Sequence, residues 1–424
     1  MPVSGDIQFA TDSVGSFNSP LWRYFLASLD GEGITDLSKL ASDRFVEVTL
    51  NAPLTVEGTA PSDNSQVWLP SVTEGDPYLA EGTRLLWAFR REFNTPPYYV
   101  VRGATLCQMI EDTAAQDDAR TRFIGYDPWR YLMSRPVCNA DGVLPGVNGL
   151  SFSATQASVV IGTLLANTII NHGHSYVDAG ATYVGTGFYT GTLETGAGMV
   201  IDINFQQGTT VGQAWQQVTN LNVCDIVLEP IYDPLNRPNY LVQLNVHAQA
   251  GVIRDEQIFA WNMPGRSLVG LSRVLDGTSR ANKVKFFAGQ GGKYATDRAD
   301  PPETDAISVA KYGEYWAQQF FPGQIIPEAV LSLAQRQLAI RKDGRETVTF
   351  KPAPERSPRP WQDYQLGDRV PVWASQEAFR QLLGATVLGT MEETQYQRIY
   401  GWRTNISDDA LETIDPILTS PQGF

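Results

Sequence analysis

The sequence contains little cysteine, little histidine and few charges. Its three cysteines, Cys107, Cys138 and Cys224, have spacings that match no zinc or redox motif, and an odd number does not indicate a disulfide framework. With only three histidines in 424 residues, a histidine-dependent hydrolase has few possible sites. The sequence also contains no Gly-x-Ser-x-Gly, phosphate-loop or His-Glu-x-x-His motif. These absences argue against the common hydrolases, nucleotide-binding enzymes and zinc enzymes.

Long apolar runs are also missing. No stretch reaches the roughly 18 uninterrupted apolar residues that a membrane-spanning helix needs, so we predict no membrane span. The first residues, Met1-Pro2-Val3-Ser4-Gly5-Asp6, have neither the basic region nor the apolar core of a signal peptide. We therefore expect the protein to be made and assembled in a cytoplasm.

The residues that are abundant favour strands and turns. The chain has 37 glycines, 26 prolines and 11% aromatic residues, while charged residues make up only 18%. This composition favours a β-rich, turn-rich protein over a helical bundle. The 42% hydrophobic content is enough for a packed core, and a chain of 424 residues has room for about two to four domains. The formal net charge of −14 makes the surface poorly suited to gripping nucleic-acid phosphates.

One motif occurs near both ends of the chain. In the segments Gly103–Thr113 and Gly384–Thr394, glycine, alanine, threonine, an aliphatic residue, glutamate, an acidic residue and threonine fall at equal offsets. A Gly-x-Arg segment precedes each copy, with Arg84 in the first and Arg369 in the second. Glycines that start strands in this way are typical of β-barrel turns. We interpret the copies as a duplicated small β-barrel; the alternative is chance similarity between two ordinary hairpins.

Local patterns predict a mixed α+β, β-rich fold. Residues 45–50 alternate apolar and polar side chains, which predicts a half-buried strand. Pro128 stands at the start of a predicted short helix. The segment Ser153-Ala154-Thr155-Gln156 matches a capping box, and a second helix is predicted to begin at Thr209-Thr210. We predict two similar small β-barrels, one at each end, which flank a middle α+β region.

Candidate catalytic and metal-binding residues are few. His172 and His174 are the only two histidines at ligand spacing, and they are weak candidates for a metal site. Neighbouring carboxylates that a glycosidase could use occur as Glu111/Asp112, Asp117/Asp118 and Glu392/Glu393. Adjacent acidic residues are commonplace in polar turns and on exposed strand faces. We therefore predict no catalytic residue, no bound cofactor and no metal.

Six segments, taken in chain order, form a more specific pattern. They are 45–53, 79–90, 125–132, 281–284, 308–313 and 364–372. In this order they resemble the minor tail, or baseplate hub, proteins of long-tailed bacteriophages, whose T-even hub fold is shared with the type VI secretion spike. The matches cover most of the chain. The Gly/Thr-rich segment 172–200 departs from the family pattern because it is longer.

The resemblance implies a structural virion protein at the phage tail tip rather than an enzyme. In such hubs two barrels per chain alternate around an axis, so that a homotrimer imitates the six-fold tail tube. The implied partners are a tail tube or distal tail protein above, tip, spike or fibre proteins below, and the tape measure protein in the lumen. DNA would pass through without specific binding. The strand edges and turns of the barrels make Arg84, Gly103, Arg369 and Gly384 the candidate interface residues.

The resemblance also implies a division of the chain. Residues 1–145 would form the first hub β-barrel, 146–345 the middle α+β domains with the insertion 172–200, and 346–424 the second barrel. Two alternatives stay open. One is a tip protein that degrades cell wall or polysaccharide, which would need paired carboxylates in a cleft. The other is a glycan-binding tip protein, for which the aromatic-rich loop 176–189 is the candidate.

Overall fold

A computed structural model of the chain describes most of its residues. The described residues are 21–28, 35–37, 42–61, 84–92, 98–115, 118–170, 176–178, 181–183, 187–221, 223–231, 240–261, 267–290, 293–294, 302–322, 331, 334–335, 337–339, 341–353, 357–374, 396–407 and 412–419. Within these ranges the chain forms many more strands than helices.

Strands and short helices follow one another along the described parts of the chain. The strands are β1 (Trp22–Ser28), β2 (Thr35–Asp36), β3 (Ser42–Thr49), β4 (Thr55–Pro61), β5 (Arg84–Glu92), β6 (Tyr98–Ala115), β7 (Asp118–Tyr126), β8 (Leu150–Gln156), β9 (Tyr176–Asp178), β10 (Ala181–Tyr183), β11 (Gly187–Leu193), β12 (Val200–Phe205), β13 (Asp225–Pro230), β14 (Tyr240–His247), β15 (Phe259–Trp261), β16 (Leu268–Asp276), β17 (Lys283–Gln290), β18 (Lys293–Tyr294), β19 (Glu303–Thr304), β20 (Trp316–Pro322), β21 (Arg345–Pro352), β22 (Arg369–Ala374), β23 (Tyr396–Ile406) and β24 (Glu412–Thr419). The helices with defined bounds are α1 (Pro128–Leu132), α2 (Ala157–Leu165), α3 (Val211–Asn220) and α4 (Ala306–Tyr312), with a π-helical turn at Ala166–Ile170 and a 3₁₀ turn at Ala197–Met199. The described residues 331, 334–335, 337–339 and 341 are also helical.

One large sheet contains strands from both ends of the chain. Its order is β2-β1-β5-β6-β7-β4-β3-β23-β22-β15-β16-β21, and β24 pairs with β23. We call β1–β7 the first strand group, and β15, β16 and β21–β24 the second strand group. The groups join where β3 pairs antiparallel with β23, from Thr49 opposite Gly401 to Arg44 opposite Ile406. Val46 and Val48 of β3 are buried, as their alternation predicts.

The predicted mixed, β-rich fold is confirmed. Among the described residues the strands of the large sheet form an open path rather than a closed barrel, and β21 and β24 lie side by side. The two ends of the chain are therefore parts of one continuous sheet. The second copy of the repeated motif, Gly384–Thr394, lies outside the described residues.

A middle layer is built around helices α2 and α3 and two small sheets, β8–β12 and β11–β14–β13. Trp215 of α3 is fully buried, and its ring lies edge-on to Trp129 of α1 at 5.2 Å and to Phe188 of β11 at 5.7 Å. Edge-on aromatic pairs stabilise a core beyond the area that they bury. The same core includes Trp87 and Phe89 of β5, so the middle layer packs directly on the large sheet.

An outer unit is formed by α4 and a sheet in which β17 pairs with β18, β19 and β20. Asn282, immediately before β17, is fully buried. Its Nδ2 donates to the Gly313 carbonyl at 2.7 Å, and its Oδ1 accepts from the Tyr315 N–H at 2.8 Å. This amide fixes the connection from α4 to β20, because it satisfies backbone groups that would otherwise be buried without partners.

The two predicted helix starts have different outcomes. At Thr210 the prediction is confirmed, since its side chain accepts from the Gln213 N–H while the Gln213 side chain accepts from the Thr210 N–H. At Ser153 the prediction is wrong, because residues 150–156 form β8 and the helix begins at Ala157 without a side-chain cap. The Ser153 hydroxyl donates instead to Oδ1 of Asp202 on the paired strand β12, at 2.9 Å. The predicted short helix at Pro128 is confirmed as α1.

The predicted division of the chain stays a prediction. β15 and β16 lie within 146–345, yet they pair in the large sheet with the second strand group. In the part of the chain that the structure describes, no helix is long and apolar enough to cross a membrane.

Candidate functional site

A buried ion pair lies where the second strand group meets the middle layer. Arg398 of β23 is fully buried, and its Nη2 donates to Oδ2 of Asp225 in β13 at 2.6 Å. The same nitrogen donates to the Ala250 carbonyl at 3.0 Å, and the Arg398 Nε donates to the Gly367 carbonyl at 3.1 Å. A buried charge is tolerated when it is both paired and hydrogen-bonded. The pair therefore fixes β23 against the middle layer.

Asn51 connects the first strand group to the same carboxylate. It follows β3 with a φ of 59°, a left-handed conformation in which asparagine is enriched among non-glycine residues. Its Nδ2 donates to Asp225 Oδ1 at 3.2 Å, and its Oδ1 accepts from the Ile226 N–H at 2.7 Å. Asp225 thus receives bonds from both strand groups. We call Asn51, Asp225 and Arg398 the polar junction.

Two glycines cross beside the polar junction. Gly251 and Gly367 both have positive φ, 87° and 85°. A Cβ on Gly251 would lie 2.0 Å from the Gly367 carbonyl carbon, and a Cβ on Gly367 would lie 2.3 Å from the Ala250 oxygen. Only glycine allows two backbones to approach this closely in this conformation. The crossing brings the Ala250 and Gly367 carbonyls to the Arg398 guanidinium.

Asp368 holds the segment before β15 against the start of β22. It is almost fully buried. Its Oδ1 accepts from the Val252 N–H at 2.7 Å, and its Oδ2 accepts from the Gln365 N–H at 2.9 Å and from Arg254 Nε at 3.0 Å. One carboxylate therefore satisfies three donors from two separate parts of the chain.

A second arginine–carboxylate pair joins the two strand groups directly. Arg90 of β5 donates to Glu412 of β24 through two nitrogens, at 3.0 and 2.6 Å, and the Trp22 indole donates to the same carboxylate at 3.0 Å. Burial raises the pKa of Glu412, but the Arg90 and Trp22 bonds outweigh it and hold that pKa below its ordinary value. Glu412 is therefore charged at neutral pH and clamps β24 to β1 and β5.

A groove of about 670 Å³ opens beside the polar junction, and we call it the junction groove. Its walls come from β6 at residues 100–102, from β13 at residues 227–230 and from the segment 249–254. Clefts between packed units are the usual place for a binding surface. These walls belong to the first strand group, to the middle layer and to the segment that leads into the second strand group, so the groove lies where the three meet.

Aromatic rings line one side of the junction groove. Trp361 lies 5.2 Å from Trp402, edge-on, and the Arg102 guanidinium lies 5.3 Å above the Trp361 ring. Trp402 is buried, and its indole N–H has no hydrogen-bond acceptor among the described residues. A buried donor without an acceptor is costly.

Solved structures share this arrangement of sheet and middle layer. The chain matches the 43 kDa tail protein of prophage MuSo2 from Shewanella oneidensis with a TM-score of 0.55 and 11% identity, over 95% of this chain and 99% of that one. It matches a tail protein from Neisseria meningitidis MC58 with a TM-score of 0.55 and 12% identity, over 94% and 97%. The chain has the fold of these tail proteins.

A third structure agrees with this assignment of the tail-protein fold. It is the prophage tail protein gp18 from Listeria monocytogenes EGD-e, with a TM-score of 0.51 and 12% identity over 95% of both chains. No family model and no curated protein matches the sequence.

Two of the predicted interface residues lie in the first strand group. Arg84 is the first residue of β5, opposite Ser28 of β1. Gly103 lies inside β6, which begins at Tyr98, rather than at a turn as we expected. It is buried, and a Cβ there would lie 2.5 Å from the Val56 side chain. Gly103 therefore allows close packing within the tail-protein fold, and the interface role of both residues stays a prediction.

The other two predicted interface residues belong to the second copy of the motif. Arg369 is the first residue of β22 and is half-buried. Burial, and then the nearby Arg398 guanidinium, lower the pKa of Arg369. Gly384 lies outside the described residues. The interface role of this pair also stays a prediction.

The weak metal candidates, His172 and His174, lie outside the described residues. Among the residues that are described, no three His, Cys, Asp or Glu side chains are placed to hold a metal ion. Glu111 and Asp112 lie in β6, opposite Arg122 and Thr121 of β7. Of the other two predicted carboxylate pairs, three members lie outside the described residues: Asp117, Glu392 and Glu393.

Asp127 lies in segment 125–132, which is part of the tail-protein resemblance. It is fully buried and immediately precedes α1. Its Oδ1 accepts from the Trp129 N–H at 2.9 Å, and its Oδ2 accepts from the Leu54 N–H at 2.7 Å. Burial raises the pKa of Asp127 to about 7, although the backbone N–H groups on its carboxylate lower it. The side chain connects the turn before β4 to the helix of the middle layer.

Sequence reasoning did not single out the polar junction. Asn51 lies in the quoted segment 45–53, but nothing local gives it a partner. Asp225 directly precedes the apolar residues Ile226, Val227 and Leu228 of β13, and a charged residue next to such a run is a signal that could have marked it. Arg398 follows Gln397 in β23, where no such signal is present.

Proposed function

We propose that the protein is a structural tail protein, the homotrimeric baseplate hub at the tip of a long-tailed phage tail. In this role, three copies join the six-fold tail tube, or a distal tail protein, to tip, spike or fibre proteins below. They surround a channel that holds the tape measure protein and later lets DNA pass without specific binding. The protein is assembled in the host cytoplasm and resides in the virion.

The tail-protein fold carries this proposal, because it extends over 94% to 95% of the chain in comparison with three tail proteins. The way in which the chain ends are joined supports it further. A trimer can imitate six-fold symmetry only if the two strand groups of each chain keep a fixed relation. The polar junction and the Arg90–Glu412 pair provide that fixed relation.

We also infer that the role is not enzymatic. The buried carboxylates at the candidate site are used for structure: Asp225 binds Arg398, Glu412 binds Arg90, and Asp368 binds backbone N–H groups. A general acid or base needs a carboxyl group that can reach substrate and change its protonation state. These three groups are instead held in bonds that fix strands.

The experiment has two parts. First, native mass spectrometry of the purified full chain at micromolar concentration should give three times the mass of the chain. Second, cryo-electron microscopy of the phage that encodes the chain, with a nanogold label on its C-terminus, should place the label at the tail tip. A monomer at all concentrations, or a label on the capsid or along the tail shaft, would refute the proposal.

A further inference from the structure

We infer that a cationic surface on the outer unit of one copy packs against an acidic surface beside the junction groove of the next copy. This inference rests on the proposed trimer and names one of its contacts. In a cyclic trimer each contact joins two different surfaces of the chain, because only a two-fold axis pairs a surface with itself. Each copy must therefore carry two complementary surfaces.

Positive charge is concentrated in the part of the chain that forms the outer unit. Residues 277–344, which lie between β16 and β21, contain nine Lys and Arg residues and seven Asp and Glu residues, although the whole chain has a formal net charge of −14. The excess of acidic residues therefore lies in the rest of the chain. Opposite charges on two surfaces speed their association and fix its orientation, so the outer unit of one copy is attracted to the remainder of another.

The cationic surface combines apolar side chains with cations. Ile307 of α4 is 82% exposed, and Lys311 is exposed one helical turn later on the same side of the helix. The Arg280 guanidinium lies 3.7 Å from the centre of the Tyr312 ring and 5.4 Å from the centre of the Tyr315 ring. Tyr315 is itself 42% exposed. We call these five residues the cationic surface.

The carboxylates near the cationic surface do not cancel its charge. Two ion pairs close to it are neutral in themselves: Lys283 with Glu314 at 2.5 Å and Lys342 with Asp305 at 3.0 Å. Asp343 is exposed, and its backbone carbonyl accepts from Arg280 Nη2 at 3.5 Å. One further carboxylate, that of Asp343, is thus set against two cations, Arg280 and Lys311, and the surface stays positive.

The acidic surface lies in the segment that leads into β15. Val252 and Ile253 are 55% and 46% exposed, and Asp255 and Glu256 are exposed next to them. Glu229 is exposed on another wall of the junction groove, which Val252 also lines. We call these five residues the acidic surface. It repeats the design of the cationic surface, an apolar centre with charges around it, with the opposite sign.

The cations near the acidic surface are engaged elsewhere or partly buried. Two of them form ion pairs of their own: Arg254 with Asp368 at 3.0 Å and His247 with Glu194 at 2.8 Å. Arg369, which is paired with Ile253 across a β-bridge, is half-buried. The exposed carboxylates of Asp255, Glu256 and Glu229 therefore outnumber it, and the surface stays negative.

Both surfaces are exposed in the single chain, so they do not cover each other within one copy. Both are also held in place. The Arg369 N–H donates to the Val252 carbonyl and the Arg254 N–H donates to the Arg369 carbonyl, each at 2.9 Å. On the outer unit the buried amide of Asn282 fixes the connection from α4 to β20. Surfaces that are already fixed lose little conformational entropy when they bind.

Charge reversal tests the contact. Lys311→Glu and Glu256→Lys each bring like charges together, so the protein concentration at half-assembly should rise at least about tenfold. The double variant Lys311→Glu/Glu256→Lys restores opposite charges on the two surfaces, and its half-assembly concentration should return to within about threefold of the wild type. Analytical ultracentrifugation of the full chain over a concentration series measures all of these values. Circular dichroism checks that each variant is folded.

Two control variants make the same changes of charge at other exposed positions. Arg130→Glu lies on α1, and Asp141→Lys lies ahead of β8. Both should assemble like the wild type. Single reversals that assemble like the wild type would overturn the inference and leave the cationic surface to another partner. A double variant as weak as the two single losses combined would also overturn it. A wild-type monomer would instead refute the proposed trimer itself.

Discussion

Two ion pairs in this protein differ mainly in their surroundings. Arg398 and Asp225 have side chains that are 0% and 5% exposed, and both also bind backbone groups. Lys283 and Glu314 in the outer unit are 19% and 52% exposed. Solvent screens the charges of Lys283 and Glu314, whereas loss of Arg398 or Asp225 would leave the other charge buried without its counter-charge. Similar bonds therefore fix β23 to the middle layer in one place and lie at the protein surface in the other.

The largest effect is expected at the polar junction. Arg398→Met leaves the Asp225 carboxylate buried without its cation, so the free energy of unfolding should fall by about 3–5 kcal/mol. Urea unfolding followed by tryptophan fluorescence measures this. The double variant Arg398→Met/Asp225→Leu should recover part of the loss, because no uncompensated charge remains. A single variant as stable as the wild type would contradict this view of the junction.

Asp127 extends the comparison to a buried carboxylate that is held by backbone N–H groups. Its folded pKa of about 7 lies above the unfolded value of 3.8, so the folded protein keeps a proton that the unfolded chain has lost. Stability from this group is present below pH 4 and is lost as pH rises towards 7. Between pH 5 and pH 6.5, the free energy of unfolding of the wild type should fall by about 2 kcal/mol more than that of Asp127→Asn.

Urea titrations of both proteins at the two pH values test this difference. Only the change between the two pH values is compared. The Asp127→Asn variant is destabilised at both, because its side-chain N–H₂ faces one of the two backbone N–H groups that the carboxylate accepts from. Parallel pH dependence of the two proteins would show that the carboxyl group titrates at its ordinary value.

A smaller effect is expected at the capped start of α3. Thr210→Ala removes the acceptor of the Gln213 N–H, and the free energy of unfolding should fall by about 1 kcal/mol. Ser153→Ala is the matched control, because Ser153 fits the same sequence pattern but caps no helix. Its change should be smaller than that of Thr210→Ala in the same urea assay.

The smallest effect is expected at the exposed pair. Lys283→Met should leave the melting temperature within error of the wild type, since solvent already screens this ion pair. Differential scanning fluorimetry at low and high salt measures it. A salt-dependent loss comparable to that of Arg398→Met would show that the two pairs are alike after all.

The sequence could predict features whose causes are local. The alternation of residues 45–50 and the capping box at Thr210 depend on neighbours within a few positions, and both are confirmed. The same pattern failed at Ser153, because a strand partner, Asp202, is not visible in the local sequence.

The polar junction could not be predicted because its members are far apart in the chain. Asn51 and Asp225 are separated by 174 positions, and Asp225 and Arg398 by 173. Each bond exists only after the β3–β23 pairing and the middle layer have formed. A single sequence carries no signal for such contacts. The repeated motif and the tail-protein resemblance predicted similar β modules at the two ends of the chain, but they did not predict the bonds between those ends.

The pairing of β3 with β23 also constrains the order in which the protein can fold during synthesis. The partner strand of β3 leaves the ribosome long after β3 itself, and the Trp22–Glu412 bond spans 390 positions. Until then β3 presents an open strand edge, which other nascent chains can pair with. A polypeptide released before β23 would therefore tend to aggregate, so premature termination should yield insoluble fragments.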